Sequence, residues 1–144
     1  MRRLLLGGVV ALGVTVAWAG VGPTAASARQ RHKRPSHIAV VAVGDTGTLS
    51  GDGLTVDVPV TITCRNATAA PIRLTLRQNS VTGSGHSGTD YKCNRRPQRL
   101  VISVVASSTS PFRRGTAMAS ASVTLHTTTG GTASTGNSRA VQLT

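Results

Sequence analysis

Two features of this sequence could do chemistry: a surplus of arginine and a single pair of cysteines. Sixteen Lys and Arg stand against four acids, a formal charge of +12 at pH 7 on 144 residues. The cations fall in groups. Arg29, Arg31, Lys33 and Arg34 crowd one short segment, Arg95, Arg96 and Arg99 form a second group, and Arg113 and Arg114 a third. A guanidinium presents a planar fork of donors that matches phosphate and carboxylate oxygens two at a time. These residues are therefore the candidate contacts to an anionic partner. Arg65, Arg73, Arg77, Lys92 and Arg139 add to the same attracting field. The competing reading is that net charge only keeps a chain soluble and loosely associated with any polyanion. Sequence-specific nucleic-acid recognition is disfavoured. One Trp, one Tyr and one Phe cannot build a base-stacking platform, and no helical period supplies an element for a major groove.

Catalytic groupings do not emerge from the pattern. Gly85-His86-Ser87-Gly88 approaches the G-x-S-x-G of a nucleophile elbow, but position 89 is Thr and no helix follows to complete an oxyanion hole. The stretch reads instead as a flexible Gly/Ser loop. His32 and His37 sit among the early cations and His126 at a strand end, none with a carboxylate neighbour in sequence. Asp45, Asp52, Asp57 and Asp90 leave few partners for acid–base work. Cys64 and Cys93 lack C-x-x-C spacing and a nearby His pair, which is too few ligands for zinc. The chain is read as non-enzymatic, without metal or cofactor.

The elements that would carry these residues begin at residue 38. Before it, Arg2 and Arg3, an apolar stretch from Leu4 to Val21 and the small-x-small site Ala26-Ser27-Ala28 read as a secretory signal over residues 1–28, in preference to a membrane anchor. Residues 29–37 carry cations and no apolar side chain, the composition of a disordered basic arm. An exported chain meets oxidising conditions, so Cys64 and Cys93 read as one disulfide, with two buried thiols as the alternative.

Residues 38–43 form a short apolar run. Leu54, Val56, Val58, Val60, Ile62 and Cys64 then alternate with polar residues, the clearest strand in the chain. Pro59 lacks an amide hydrogen and argues for a sheet edge or a bulge. Further alternations follow at 72–76, 89–93, 100–104 and 117–125, with Val141 and Leu143 as a last strand. Residues 80–88 and 127–136 read as Gly-, Ser- and Thr-rich loops. Ala117, Ala119 and Ala121 mark a place where sheets come close or a larger neighbour fills the space. About seven short strands without helical period predict an all-β domain over 38–144, an antiparallel β-sandwich with one disulfide. Tyr91 stands two residues before Cys93, as the Tyr of a tyrosine corner does; coincidence is the alternative.

The string Val60-Thr61-Ile62-Thr63-Cys64, with Leu76-Arg77-Gln78, Gly83-Ser84-Gly85, Cys93 and Pro111-Phe112-Arg113-Arg114-Gly115-Thr116-Ala117, resembles small secreted β-sandwich proteins of high-GC Gram-positive bacteria. The resemblance covers most of residues 38–144. It implies an immunoglobulin-like fold and a disulfide between Cys64 and Cys93, and it implies no activity. Many such proteins carry a second cysteine pair near the last hairpin. This chain has Thr127-Thr128-Thr129 and Thr132-Ala133-Ser134 there, so that hairpin lacks the brace.

The expected role is surface association outside the cell, wall-bound or free, with an anionic envelope polymer or lipid surface, in a mature form that does not span the membrane. The alternative is a secreted protease inhibitor or small-ligand carrier. Residues 79–92 are its only candidate reactive loop, and their glycines argue for flexibility.

Overall fold

A computed structural model describes residues 38–144; the expected signal (1–28) and basic arm (29–37) lie outside the described residues. The elements are all strands: β1 (Ala39–Val43), β2 (Thr46–Leu49), β3 (Thr55–Cys64), β4 (Ala67–Thr68), β5 (Arg73–Gln78), β6 (Val81–His86), β7 (Gln98–Ala106), β8 (Gly115–Thr127) and β9 (Thr132–Leu143). β3, β5, β7 and β8 fall on stretches whose alternation predicted them. Successive side chains leave a pleated strand on opposite faces, so one set faces inward. Val56, Val58, Val60 and Ile62 of β3 are fully enclosed, and burial of each such side chain contributes about 1.5–3 kcal/mol.

Neighbouring strands follow the order β3, β2, β9, β8, β5, β6, β7, and β7 pairs back onto β3, so seven strands close into a barrel. β1 adds to β3, and β4 to the end of β8. The expected two-sheet sandwich is thus corrected to one closed sheet. The cause is two strands that hydrophobic alternation does not reveal. β2 pairs β3 antiparallel and β9 parallel, so the sheet is not purely antiparallel either. β6 pairs β5 on one side and β7 on the other. Each stitches an edge that a sandwich would leave open.

β6 lies within residues 80–88, which composition assigned to a loop. Its glycines provide space rather than flexibility. A Cβ at Gly83 would lie 2.7 Å from the Val105 carbonyl oxygen and 2.9 Å from the Val104 side chain. In register, Gly85, Leu74 and Ala121 form one row across β6, β5 and β8, and Gly83, Leu76 and Ala119 the next. Each leucine is flanked by small residues, which resolves the alanine run of β8: larger neighbours on β5 fill the space.

Pro59 is not on a free edge. β7 pairs with β3 on one side, and on the other the partner changes from β1 to β2 at this residue. The Pro59 carbonyl accepts the Gly44 amide at 2.8 Å, and the missing N–H faces the same changeover. Of the expected loop 127–136, only residues 128–131 turn the chain, and from Thr132 onward it is strand. β8 and β9 form a long hairpin registered from Gly115 opposite Leu143 to His126 opposite Thr132. Outward hydroxyls pair across it, Ser120 with Ser138 at 2.8 Å and Thr124 with Ser134 at 2.9 Å.

Residues 89–93 form no strand, and only a lone bridge joins Arg65 to Asn94. Tyr91 is buried there. Its hydroxyl donates to the Ala70 carbonyl and accepts the Ala70 amide at 3.0 Å. The tie reaches 21 residues back, rather than the few of a tyrosine corner. Burial raises the Tyr91 pKa above its ordinary value of 10.0, against a smaller opposing pull from the Ala70 hydrogen bond. The unfolded chain therefore gives up this proton first as pH rises, and the contribution of Tyr91 is complete below the unfolded value and lost as pH climbs through the folded one.

Two outcomes are expected. Gly83→Ala should destabilise the fold by about 1–3 kcal/mol through overpacking. Gly51→Ala, where nothing lies within 4 Å, should be near neutral by denaturant titration. Equal effects at the two sites would remove the close-approach account of β6. Tyr91→Phe should cost about 1–3 kcal/mol at neutral pH, since Ala70 loses its partner, and should flatten the decline in stability above about pH 10. An unchanged alkaline slope would show that Tyr91 does not set it.

Candidate functional site

The barrel sorts the candidate arginines into two groups. At one end, Cys64 and Cys93 form a disulfide across a separation of 29 residues. Around it the backbone draws together Arg65, Lys92, Arg95 and Arg96. The Arg65 amide donates to the Ile38 carbonyl at 2.9 Å, and the Arg95 amide to the Cys64 carbonyl at 2.9 Å. The Arg96 amide is held by the Asn94 side chain at 3.1 Å. Gln98 grips Lys92 from both sides: its carbonyl oxygen accepts the Lys92 amide at 3.0 Å and its NH2 donates to the Lys92 carbonyl. Arg99 follows on the outer face of β7, opposite Thr61. Arg29, Arg31, Lys33 and Arg34 lie outside the described residues.

Arg95 has φ 70°, left-handed backbone that suits Gly or Asn. The conformation costs roughly 1–2 kcal/mol for an ordinary side chain. The bridged Cys64 carbonyl that its amide meets holds it there. Ile38, Val40, Thr63 and Cys64 line a shallow depression of about 210 Å³ with Arg65 and Arg95 at its rim. The site thus offers guanidinium donors next to an apolar floor, a surface suited to an anion with an uncharged body.

Arg113 and Arg114 are at the other end of the barrel, where β8 begins and β5 ends. Strand β3 runs between the two ends, and its ten residues span roughly 30 Å at the rise of an extended chain. The arginines singled out from sequence therefore do not converge on one surface. Arg95, Arg96 and Arg99 come together, joined by Arg65 and Lys92, while Arg113 and Arg114 are remote from them. Arg73 and Arg77 project from the outer face of β5.

Neither group forms an ion pair among the described residues, although Asp52 lines one groove with Arg113 and Arg114. Among the described residues the one ion pair is Arg139 with Asp45, at the β1–β2 turn. Asp57 accepts the Ser103 hydroxyl at 2.6 Å. The Ser50 hydroxyl, 2.5 Å away, and the Leu54 amide hold the Asp52 carboxyl below its ordinary range.

Ser87, in the stretch compared with a nucleophile elbow, is a buried structural residue. Its hydroxyl accepts the Ile72 amide at 2.9 Å and donates to the Gly88 carbonyl at 2.8 Å. His86 is exposed and pairs in register with Arg73. His126 is the penultimate residue of β8, opposite Thr68. The proposed inhibitory loop, residues 79–92, is corrected as well, because Val81–His86 is strand β6 inside the barrel wall.

Sequence reasoning missed Gln78. It is the inward residue that follows Ile72, Leu74 and Leu76 and is buried with them. A polar residue at the inward phase of an aliphatic alternation was the available signal. Its amide accepts the Arg113 N–H at 2.8 Å and donates to the Arg113 carbonyl at 2.8 Å.

Because the disulfide anchors the first arginine group, its reduction should lower stability by about 3 kcal/mol or more, about 10 °C or more in melting temperature. An unchanged calorimetric transition would mean that the bridge does not support this end. No protein-family model matches the sequence, and no curated protein matches it.

Proposed function

We propose that this chain is an exported, non-enzymatic domain that associates with an anionic polymer or lipid surface of the cell envelope through the disulfide-end arginines. The observation that carries this reading is the fixed grouping of Arg65, Lys92, Arg95 and Arg96 around one disulfide, with no carboxylate partner among the described residues. Their backbones are held by hydrogen bonds, so less main-chain freedom is lost when an anion arrives. The unfavourable backbone conformation at Arg95, where Asn or Gly would be easier, is a further pointer, since such outliers gather at functional sites.

An immunoglobulin-like ancestry belongs to the same proposal. β1, β3 and β7 run side by side, as do β5, β8 and β9. Those are the neighbour relations of the two sheets in such a sandwich, and β2 and β6 would be the additions that join them.

Binding of this kind displaces counterions, so affinity should fall steeply with salt. On immobilised heparin or isolated cell wall, replacing Arg65, Lys92, Arg95 and Arg96 by Ser should lower the eluting salt concentration. The slope of log K against log salt should shrink by about 1 for each cation removed from a contact. A quadruple variant that folds normally and elutes with the parent would overturn the proposal, as would salt-insensitive retention.

A further inference from the structure

The arginines occupy both ends of one rigid barrel, and from this we infer that the domain is two-ended: it bridges separate segments of a flexible polyanion instead of binding through a single face. The inference rests on the anion-binding reading above and adds a second site at Arg113 and Arg114.

That second site is built rather than accidental. Phe112 is buried in the core, and its amide donates to the Gly53 carbonyl at 2.8 Å. The next residue, Arg113, is held through both backbone polar groups by the buried Gln78 amide, which also reaches the Thr116 carbonyl at 3.5 Å. The backbone of the pair is thus fixed between an aromatic anchor and an amide clamp, while both side chains remain exposed. Neither has a carboxylate partner among the described residues. Grooves of about 450 Å³ and 500 Å³ flank the pair. Asn79, Ser80 and Ser110 bring further hydrogen-bonding groups to the first. Asp52 lies in the second, its carboxylate engaged by Ser50 and Leu54.

Geometry forbids one small anion from serving both ends. The clusters are separated by the length of β3, roughly 30 Å. A polymer with anionic groups repeated along it can occupy both, either by doubling back on one molecule or by linking two. In each case the second contact forms at raised effective concentration, which strengthens holding without any new contact type.

The test mixes the protein with long-chain polyphosphate at low salt and follows light scattering across the mixing ratio. Bridging predicts scattering that peaks at an intermediate ratio and disperses when either component is in excess. Tripolyphosphate, too short to link the ends, should bind without scattering and should dissolve the long-chain complexes. Arg113→Ser with Arg114→Ser, two exposed changes, should abolish the peak and weaken long-chain binding on the order of a hundredfold. The same variant should still be retained on heparin through the disulfide end. A parent that binds polyphosphate without scattering would leave the anion-binding reading intact and overturn bridging. A double variant that scatters like the parent would overturn the site at Arg113 and Arg114. No polyphosphate binding by the parent at all would remove both readings together.

Discussion

The close approach of β6 to β7 governs the rest of the molecule. Two backbones can lie this near only where the inward side chain is missing, and Gly83 and Gly85 supply that absence over Val104, Val105 and Ser103. The same rows then place Leu74 and Leu76 between glycine on one side and alanine on the other. The barrel wall is therefore complementary across three strands: bulk on β5, none on β6 and little on β8. Without this pattern β6 would stand off from β7 and the sheet would remain open along that edge, exposing unpaired backbone groups.

Closure decides where polar chemistry can sit. The inner face of the wall is filled by aliphatic side chains, with Gln78 as its main polar exception. The outer face is mostly Ser and Thr. Asp57, Arg73, Arg77, Arg99 and Arg139 stand on strands, and the other charged groups lie where strands end and the chain turns. At one end the Cys64–Cys93 bridge fixes the turns that carry Arg65 and Arg95. At the other, Gln78 and Phe112 fix the turn that carries Arg113 and Arg114. The two devices differ chemically, one covalent and one an amide buried among hydrocarbon, yet each immobilises backbone beside exposed guanidinium groups.

How much of this was legible in the sequence depended on whether a residue acts through its own side chain. Alternating aliphatics announce β3, β5, β7 and β8 because burial of one face is what makes them strands. The Cys64–Cys93 bridge was legible for a similar reason, since a chain with a single pair offers one pairing. β6 was hidden because its glycines act by absence, and glycine in a sequence signals freedom as readily as tight packing. β2 and the first part of β9 were hidden because Thr, Ser and Gly are as common in turns as in a strand held by neighbours. Two of the missed strands, β2 and β6, are those that convert a sandwich into a barrel. Among the candidate site residues, Arg95, Arg96 and Arg99 are neighbours in sequence and follow one another from the disulfide end onto β7. The recruitment of Arg65 through the disulfide, and the remoteness of Arg113 and Arg114, follow from strand register, which a charge pattern does not contain.

The parallel pairing of β2 with β9 also bears on mechanics. Ile38 lies at the disulfide end and Thr144 at the opposite end, so tension applied through these two residues would act along the barrel axis. Near Thr144 it meets three backbone hydrogen bonds between the β2 segment and the last residues: Gln142 to Asp45, Thr144 to Gly47 and Leu49 to Thr144. Strands aligned this way are loaded in shear, so these bonds share the force instead of opening one after another. A pull between these two residues would therefore have to break the three bonds together.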